Sequence, residues 1–142
     1  MYVTTHLFAG AFIGAVLQNP VLAGIGGFCS HALLDAIPHH DYQRPIPAAV
    51  DIGLSLAALF MLNKSAGSLA FTKNPALIGG FMATLPDIEV GLSFLAGPKR
   101  RWRLIYPSHS GLLTHGKMAF PMGFLLQLAI VLLAAMGIHY VL

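Results

Sequence analysis

Five apolar stretches, separated by short polar or turn-forming segments, run along this chain. The first extends from about Val3 to Gln18 and stops at Asn19-Pro20, which reads as a helix N-cap followed by the first helical position. A second helix is therefore expected from there to about Ile37, where Pro38 stops it. A third is expected over about Pro47 to Leu62. Asn74-Pro75 repeats the cap signal and opens a fourth, which continues to about Ala96, before Gly97-Pro98. The fifth, Met118 to Leu142, holds no Asp, Glu, Lys or Arg in 25 residues. As a helix it would measure about 37 Å, enough to cross a hydrocarbon core of about 30 Å. The first three stretches are short for full crossings, so some are expected to tilt or sit half-buried.

Composition turns this pattern into a membrane assignment. Hydrophobic residues make up 56% of the 142-residue chain and charged ones 9%, against about 25% charged in an ordinary soluble domain. So few charges do not cover a small soluble globule, whose surface is large for its volume. The expectation is a single domain, residues 1–142: an all-α, polytopic membrane bundle of four to five helices. The N-terminal stretch lacks a basic n-region and runs past any h-region, so it is expected to stay in the mature chain. Cys29, the lone cysteine, rules out an intramolecular disulfide and is expected to be a small buried apolar residue. A net charge of +3 without a basic-aromatic motif gives no reason to expect nucleic acid.

If all five stretches cross, the N-terminus, the 38–46 loop and the 97–117 loop share one face. Arg44, Lys99, Arg100, Arg101, Arg103 and Lys117 lie there, and only Lys64 and Lys73 lie opposite. The positive-inside rule then makes the first face cytoplasmic, and the expected location is the cell (inner) membrane. Trp102 and Tyr106 would sit at the interface. The run from Lys99 to Arg103 reads as an anchor on anionic membrane lipid, or as a holder of a phosphate-bearing head group.

The same threading gathers the acidic residues. Asp35, Asp41, Asp51, Asp87 and Glu89 are all the carboxylates in the chain, and all fall at or near the proposed cytoplasmic end. His6, His31, His39, His40, His109 and His115 fall there too, with only His139 opposite. An Asp near hydrocarbon costs about 2.5–3.5 kcal/mol on insertion scales. A divalent metal compensates such a set, because it keeps carboxylates ionised and takes neutral imidazole. His31 and Asp35, four apart, share a helix face, and His39 follows across Pro38. The candidate ligands are His6, His31, Asp35, His39, Asp87, His109 and His115. Zinc suits this set best, with manganese or iron as alternatives. Asp41 and Glu89 are candidate proton acceptors, with His40 and Asp41 on an exposed loop. Asp51 is a candidate ligand, helix-dipole partner or orienting group. Glu89 lies about 200° around a helix from Asp87, so the two are not expected to face one metal unless Pro86 breaks the geometry.

Thr5-His6, Ser30-His31-Ala32-Leu33-Leu34-Asp35, Leu85-Pro86-Asp87-Ile88-Glu89 and His109-Ser110-Gly111-Leu112-Leu113-Thr114-His115 resemble the motifs of the inner-membrane metal-dependent hydrolases (YdjM-like). Those proteins show an early Thr-His, a Leu-Pro-Asp-Ile-Asp and a His-x-Gly-x-Thr-His. Here Glu89 stands where the family has Asp, and the His109–His115 interval is one residue longer. The His-x-x-x-Asp is also similar to helix-borne zinc ligands of phospholipase C and nuclease relatives. The resemblance implies a membrane-bound metal-dependent hydrolase; the chemistry of a bound metal and the basic run then suggest a phosphoester or lipid-linked substrate at the cytoplasmic face. The alternatives are a metal-binding transporter and a non-catalytic membrane scaffold. No nucleophile elbow, P-loop or dinucleotide fingerprint is present.

Overall fold

A computed structural model describes residues 1–65, 73–96 and 104–142. Within them lie five helices and no strand: α1 (Val3–Leu17), α2 (Pro20–Ala36), α3 (Pro45–Ser65), α4 (Pro75–Ala96) and α5 (Met122–Val141). The two Asn-Pro signals act as read. Asn19 Oδ1 accepts from the backbone N–H of Val21 (3.0 Å) and Leu22 (3.1 Å), and Asn74 Oδ1 accepts from Leu77 N–H (3.2 Å). Each cap satisfies donors that a helix start leaves without partners. The basic run 99–103, Trp102 and the 66–72 stretch lie outside the described residues.

Two boundaries differ from expectation. The third helix begins at Pro45 and reaches Ser65, because prolines in a first helical turn sacrifice no intrahelical bond. The fifth begins at Met122, because the preceding backbone is already committed: Met118 N–H donates to His39 C=O (2.7 Å). Consequently Pro45–Lys64, Pro75–Ser93 and Met122–Val141 are long and apolar enough to cross a membrane. The helices α1 and α2, at 15 and 17 residues, span about 22 and 25 Å, less than a bilayer core.

Packing separates these groups. The short helices α1 and α2 lie against α4, and α5 lies against α1, while α3 touches α1 and α4 only lightly. Close approach is obtained by removing side chains. A Cβ on Gly79 of α4 would lie 2.2 Å from Gly10 C=O on α1, and one on Gly27 of α2 would lie 2.2 Å from Gly79 C=O. Gly79 is thus pinched between two backbones, as small residues allow in membrane bundles. By contrast, α3 and α5 present Leu54, Leu56, Phe60, Met61, Leu132, Leu133 and Met136 outward. Such a contiguous apolar surface suits lipid. Cys29, expected inside, is exposed on α2, because the glycine-lined face of that helix is the one turned inward.

The interior inverts the usual order. Apart from Leu7 and Leu77, the largest fully buried side chains are His6, His31, His39, Gln127, Thr5 and Asp35. Interiors normally exclude such groups unless they are paired.

Candidate metal centre

These polar side chains converge because short elements end at one place. His6 lies near the start of α1, while His31 and Asp35 close α2. Asp87 projects from the second half of α4. Two backbone bonds then lay the 104–121 loop on the end of α2: Gly116 N–H donates to Asp35 C=O and Met118 N–H to His39 C=O, both at 2.7 Å. A Cβ on Gly116 would lie 2.7 Å from the Ala36 and Ile37 carbonyl oxygens, so only glycine permits this approach. The docked loop brings His115 beside His39. Further along the same loop, Tyr106 is buried, donates its hydroxyl to Phe28 C=O (2.6 Å) and packs edge-on against His31. That anchor fixes the turn carrying His109.

Asp35 is the hub. Its Oδ2 lies 3.2 Å from His31 Nε2, 3.4 Å from His109 Nε2 and 3.7 Å from His115 Nδ1. Ser108 Oγ donates to the same oxygen (2.7 Å). Its Oδ1 lies 3.3 Å from His6 Nε2 and 3.4 Å from the Met1 amino nitrogen. Asp87 Oδ1 stands 3.8 Å from His31 Nε2 and 3.9 Å from His109 Nε2. Beside this group, Asp41 Oδ1 lies 2.9 Å from His39 Nε2, and Asp41 Oδ2 lies 3.2 Å from His115 Nε2. Three sets of donors fall within the reach of one ion: His6, His31 and Asp87; His31, Asp35 and His109; Asp35, His39 and His115.

The histidine rings are turned in a common sense. His31 Nδ1 contacts Ala83 C=O (2.7 Å), His39 Nδ1 contacts Ile37 C=O (2.7 Å), and His109 Nδ1 contacts Glu89 Oε1 (3.0 Å). Each partner only accepts, so each Nδ1 carries the proton and donates it. In the neutral ring, every Nε2 then presents a lone pair to the cluster, the orientation that metal-binding histidines adopt. Yet His31 Nε2 and His109 Nε2 lie 3.2 Å apart, and His39 Nε2 lies 3.1 Å from His115 Nε2. Lone pairs facing each other and facing carboxylate oxygens repel unless positive charge lies among them. A proton answers one such contact at a time, whereas a divalent cation answers several. Among the described residues neither His6 nitrogen nor Asp87 Oδ2 has a hydrogen-bond partner despite being buried, His6 Nε2 having only its 3.3 Å approach to Asp35. The donor set therefore fits a divalent cation, and burying it without one leaves polar atoms uncompensated.

Asp87 and Glu89 address one ring from two sides. Asp87 faces His109 Nε2, while Glu89 binds His109 Nδ1 and accepts from the backbone N–H of Ile105 (2.8 Å) and Tyr106 (3.0 Å). Glu89, expected as a proton acceptor, thus has both oxygens engaged. The α4 helix continues through Pro86, and its neighbour Ala83 supplies the carbonyl that holds His31. Asp41, expected on an exposed loop, keeps 40% of its side chain accessible while binding His39 and His115. His40 is half-buried, and its carbonyl accepts from Gln127. Asp51 serves the scaffold, accepting from Thr4 N–H (3.2 Å), the Thr4 hydroxyl and the Tyr42 hydroxyl. His139 lies at the far end of α5, exposed and apart from the cluster.

Sequence reading assigned Gln127 and Ser108 no role in the site and Tyr106 only a place at the interface. Gln127 accepts from Tyr2 N–H (2.7 Å) and donates to His40 C=O (2.8 Å), which ties the chain start and the histidine loop to α5. Its signal was available: it is the one side-chain amide within an otherwise apolar membrane-length helix.

In the loops, electrostatics follows contacts. Burial lowers the His109 pKa, but hydrogen bonds from its ring to Asp35 and Glu89 outweigh it and leave it raised. His115 is lowered, chiefly by burial. Burial raises the Asp41 carboxyl, but the hydrogen bond to His39 and the nearby Met1 amino group carry it below its ordinary value. Next to His109 an open hollow of about 580 Å³ is lined by Leu104, His109, Ser110, Gly111 and Leu112. The volume falls within the range of small-molecule sites. No family model, no curated protein and no solved structure matches this chain.

Proposed function

We propose that this protein is a membrane-bound metal-dependent hydrolase acting on a phosphoester, lipid-linked in the first instance, at the cytoplasmic face of the inner membrane. The resemblance of its motifs to the YdjM-like proteins implies the metal-dependent hydrolase, and the chemistry of a bound cation suggests the phosphoester. The observation carrying the proposal is the inward-turned set of Nε2 atoms on His31 and His109 about Asp35, with an open hollow on the His109 side. A structural metal site closes its coordination shell, whereas a catalytic one keeps an approach for substrate. His31, Asp35 and His109 would hold the cation, zinc by the chemistry of the donors, with His6 and Asp87 flanking them. Once bound, a divalent cation supplies Lewis acidity, which makes water more acidic and polarises an ester oxygen.

The remaining steps belong to the chain itself. Ser108 holds Asp35 in place through its 2.7 Å hydrogen bond. Glu89 orients the His109 ring and fixes its tautomer, as outer partners of liganding histidines do. Asp87, with Oδ2 unpartnered, is the carboxylate best placed to take a proton from attacking water. Leu104 and Leu112 on the hollow, with Ile105 and Leu113 exposed nearby, offer an apolar rim to a substrate still seated in lipid.

A transporter reading draws less support, because the donors gather at one end of the bundle and transport sites lie near the midplane. The test combines cation content with hydrolysis of a phospholipid and of a soluble phosphodiester by purified protein. His31→Ala should lose both cation and activity. Asp87→Asn should keep the cation and lose about 100-fold or more in turnover, the scale of a general base. Full activity in cation-free protein would end the proposal.

A further inference from the structure

His39, Asp41 and His115 form a separate knot beside the first group. Its three members approach one another at 2.9, 3.1 and 3.2 Å, closer than His31 and His109 approach Asp87. The His39 proton is committed to Ile37 C=O, so in the neutral ring its Nε2 lone pair points straight at Asp41 Oδ1. That arrangement demands positive charge. The Met1 amino nitrogen reaches Asp41 Oδ1 (2.9 Å) but leaves Oδ2 to His115. His39 is fully buried, and Asp35 joins it and His115 within the reach of one ion.

We infer that the protein binds two divalent cations, the second held by His39, Asp41 and His115, with Asp35 shared between the two centres. The inference rests on the proposed function only in taking His31, Asp35 and His109 as the first centre. Asp35 is suited to the shared role because it falls within the reach of one ion both with His31 and His109 and with His39 and His115, and Ser108 and the Gly116 backbone bond fix its position. Asp41 is thereby a ligand rather than a proton acceptor. Paired cations bridged by a carboxylate are a recurrent arrangement for in-line displacement at phosphorus, where they stabilise attacking and leaving oxygens. The second centre narrows the substrate class to phosphoesters over carboxylic esters.

The test is elemental analysis of the full chain in detergent after stripping and reloading with zinc alone, with helical content checked by circular dichroism. Two zinc ions per chain are expected for the wild type, one for His39→Ala and one for Asp41→Asn. One zinc in the wild type, retained by His39→Ala, would remove the second centre and leave the first intact. No zinc at all would remove both. Loading with manganese alone gives an independent measure: a shared carboxylate should produce an exchange-coupled pair by electron paramagnetic resonance, lost in Asp35→Asn. Two uncoupled manganese signals in the wild type would overturn the sharing by Asp35.

Discussion

Two hollows at opposite ends of this bundle make an instructive pair. The larger, about 740 Å³, lies between the ends of α1 and α5 and is lined by Phe12, Val16, Met136, Gly137, His139, Tyr140 and Val141. The smaller, about 580 Å³, opens beside His109. Size favours the first, but chemistry favours the second. His139 stands among apolar side chains with no Asp or Glu near it in the sequence or among its lining neighbours. His109 meets Asp35, Asp87 and Glu89 within 4 Å. Volume alone therefore says little about function here. Convergence of donors from separate elements, with His31, His39 and His109 each oriented by an outer partner, distinguishes the polar end.

Four experiments sharpen or break that contrast. The greatest effect is expected from Gly79→Val, which forces side-chain atoms into the α1 backbone at Gly10 and Gly14. Overpacking of this kind costs about 1–3 kcal/mol or more, and it should disperse the donors. Thermal unfolding in detergent should shift to lower temperature and cation loading should fall sharply. Normal loading in Gly79→Val would mean that the glycine crossing does not position the cluster.

A pH series comes next. In cation-free protein the raised His109 pKa means that protonation stabilises the fold, an effect complete below pH 6.5 and lost as pH rises through the raised value. The lowered His115 pKa has the opposite sense: its contribution is lost as pH falls below 6.5 through the lowered value. Since cations require unprotonated imidazole, the centre containing His109 should release its ion at higher pH than the one containing His115. Cation content measured across dialysis steps from pH 8 to 5 should therefore fall in two stages. Content that stayed flat over that range would argue against His109 as a ligand.

Glu89→Gln should act more mildly. The amide still reaches the loop backbone but no longer offers His109 a charged acceptor, and loss of such an outer partner costs about 10–100-fold in metal affinity. Competition with a chelator of known affinity measures it, and an unchanged affinity would show that Glu89 merely tethers the loop. The smallest effect belongs to the other end: His139→Ala should leave cation affinity within about twofold. Loss of ion flux in proteoliposomes on that substitution would revive the transporter reading.

Much of the architecture was legible before any coordinates. Asn19-Pro20 and Asn74-Pro75 announced two helix starts through side-chain capping, a local effect that depends on a few neighbouring residues. The scarcity of charge announced a membrane bundle, because solvent exposure and composition are tied by surface area. The starts of α3 and α5 were read less well, since Pro45 looks like part of the preceding loop until it is placed in a first turn. Met118 to Phe120 look helical until the His39 backbone claims them.

The sequence by itself determined that imidazoles and carboxylates would collect at one end of an apolar bundle, because hydrocarbon penalises them elsewhere. It also placed His31 and Asp35 on one helical face, since that depends only on helical periodicity. Tertiary structure alone decided that Asp35 is the hub and that Glu89 lies behind His109 rather than before it. It also paired His39 with Asp41 and His115. These outcomes depend on where the 104–121 loop docks and on which ring nitrogen meets a carbonyl. Such contacts join residues as far as 78 positions apart or more, and no local pattern encodes the angle at which they meet.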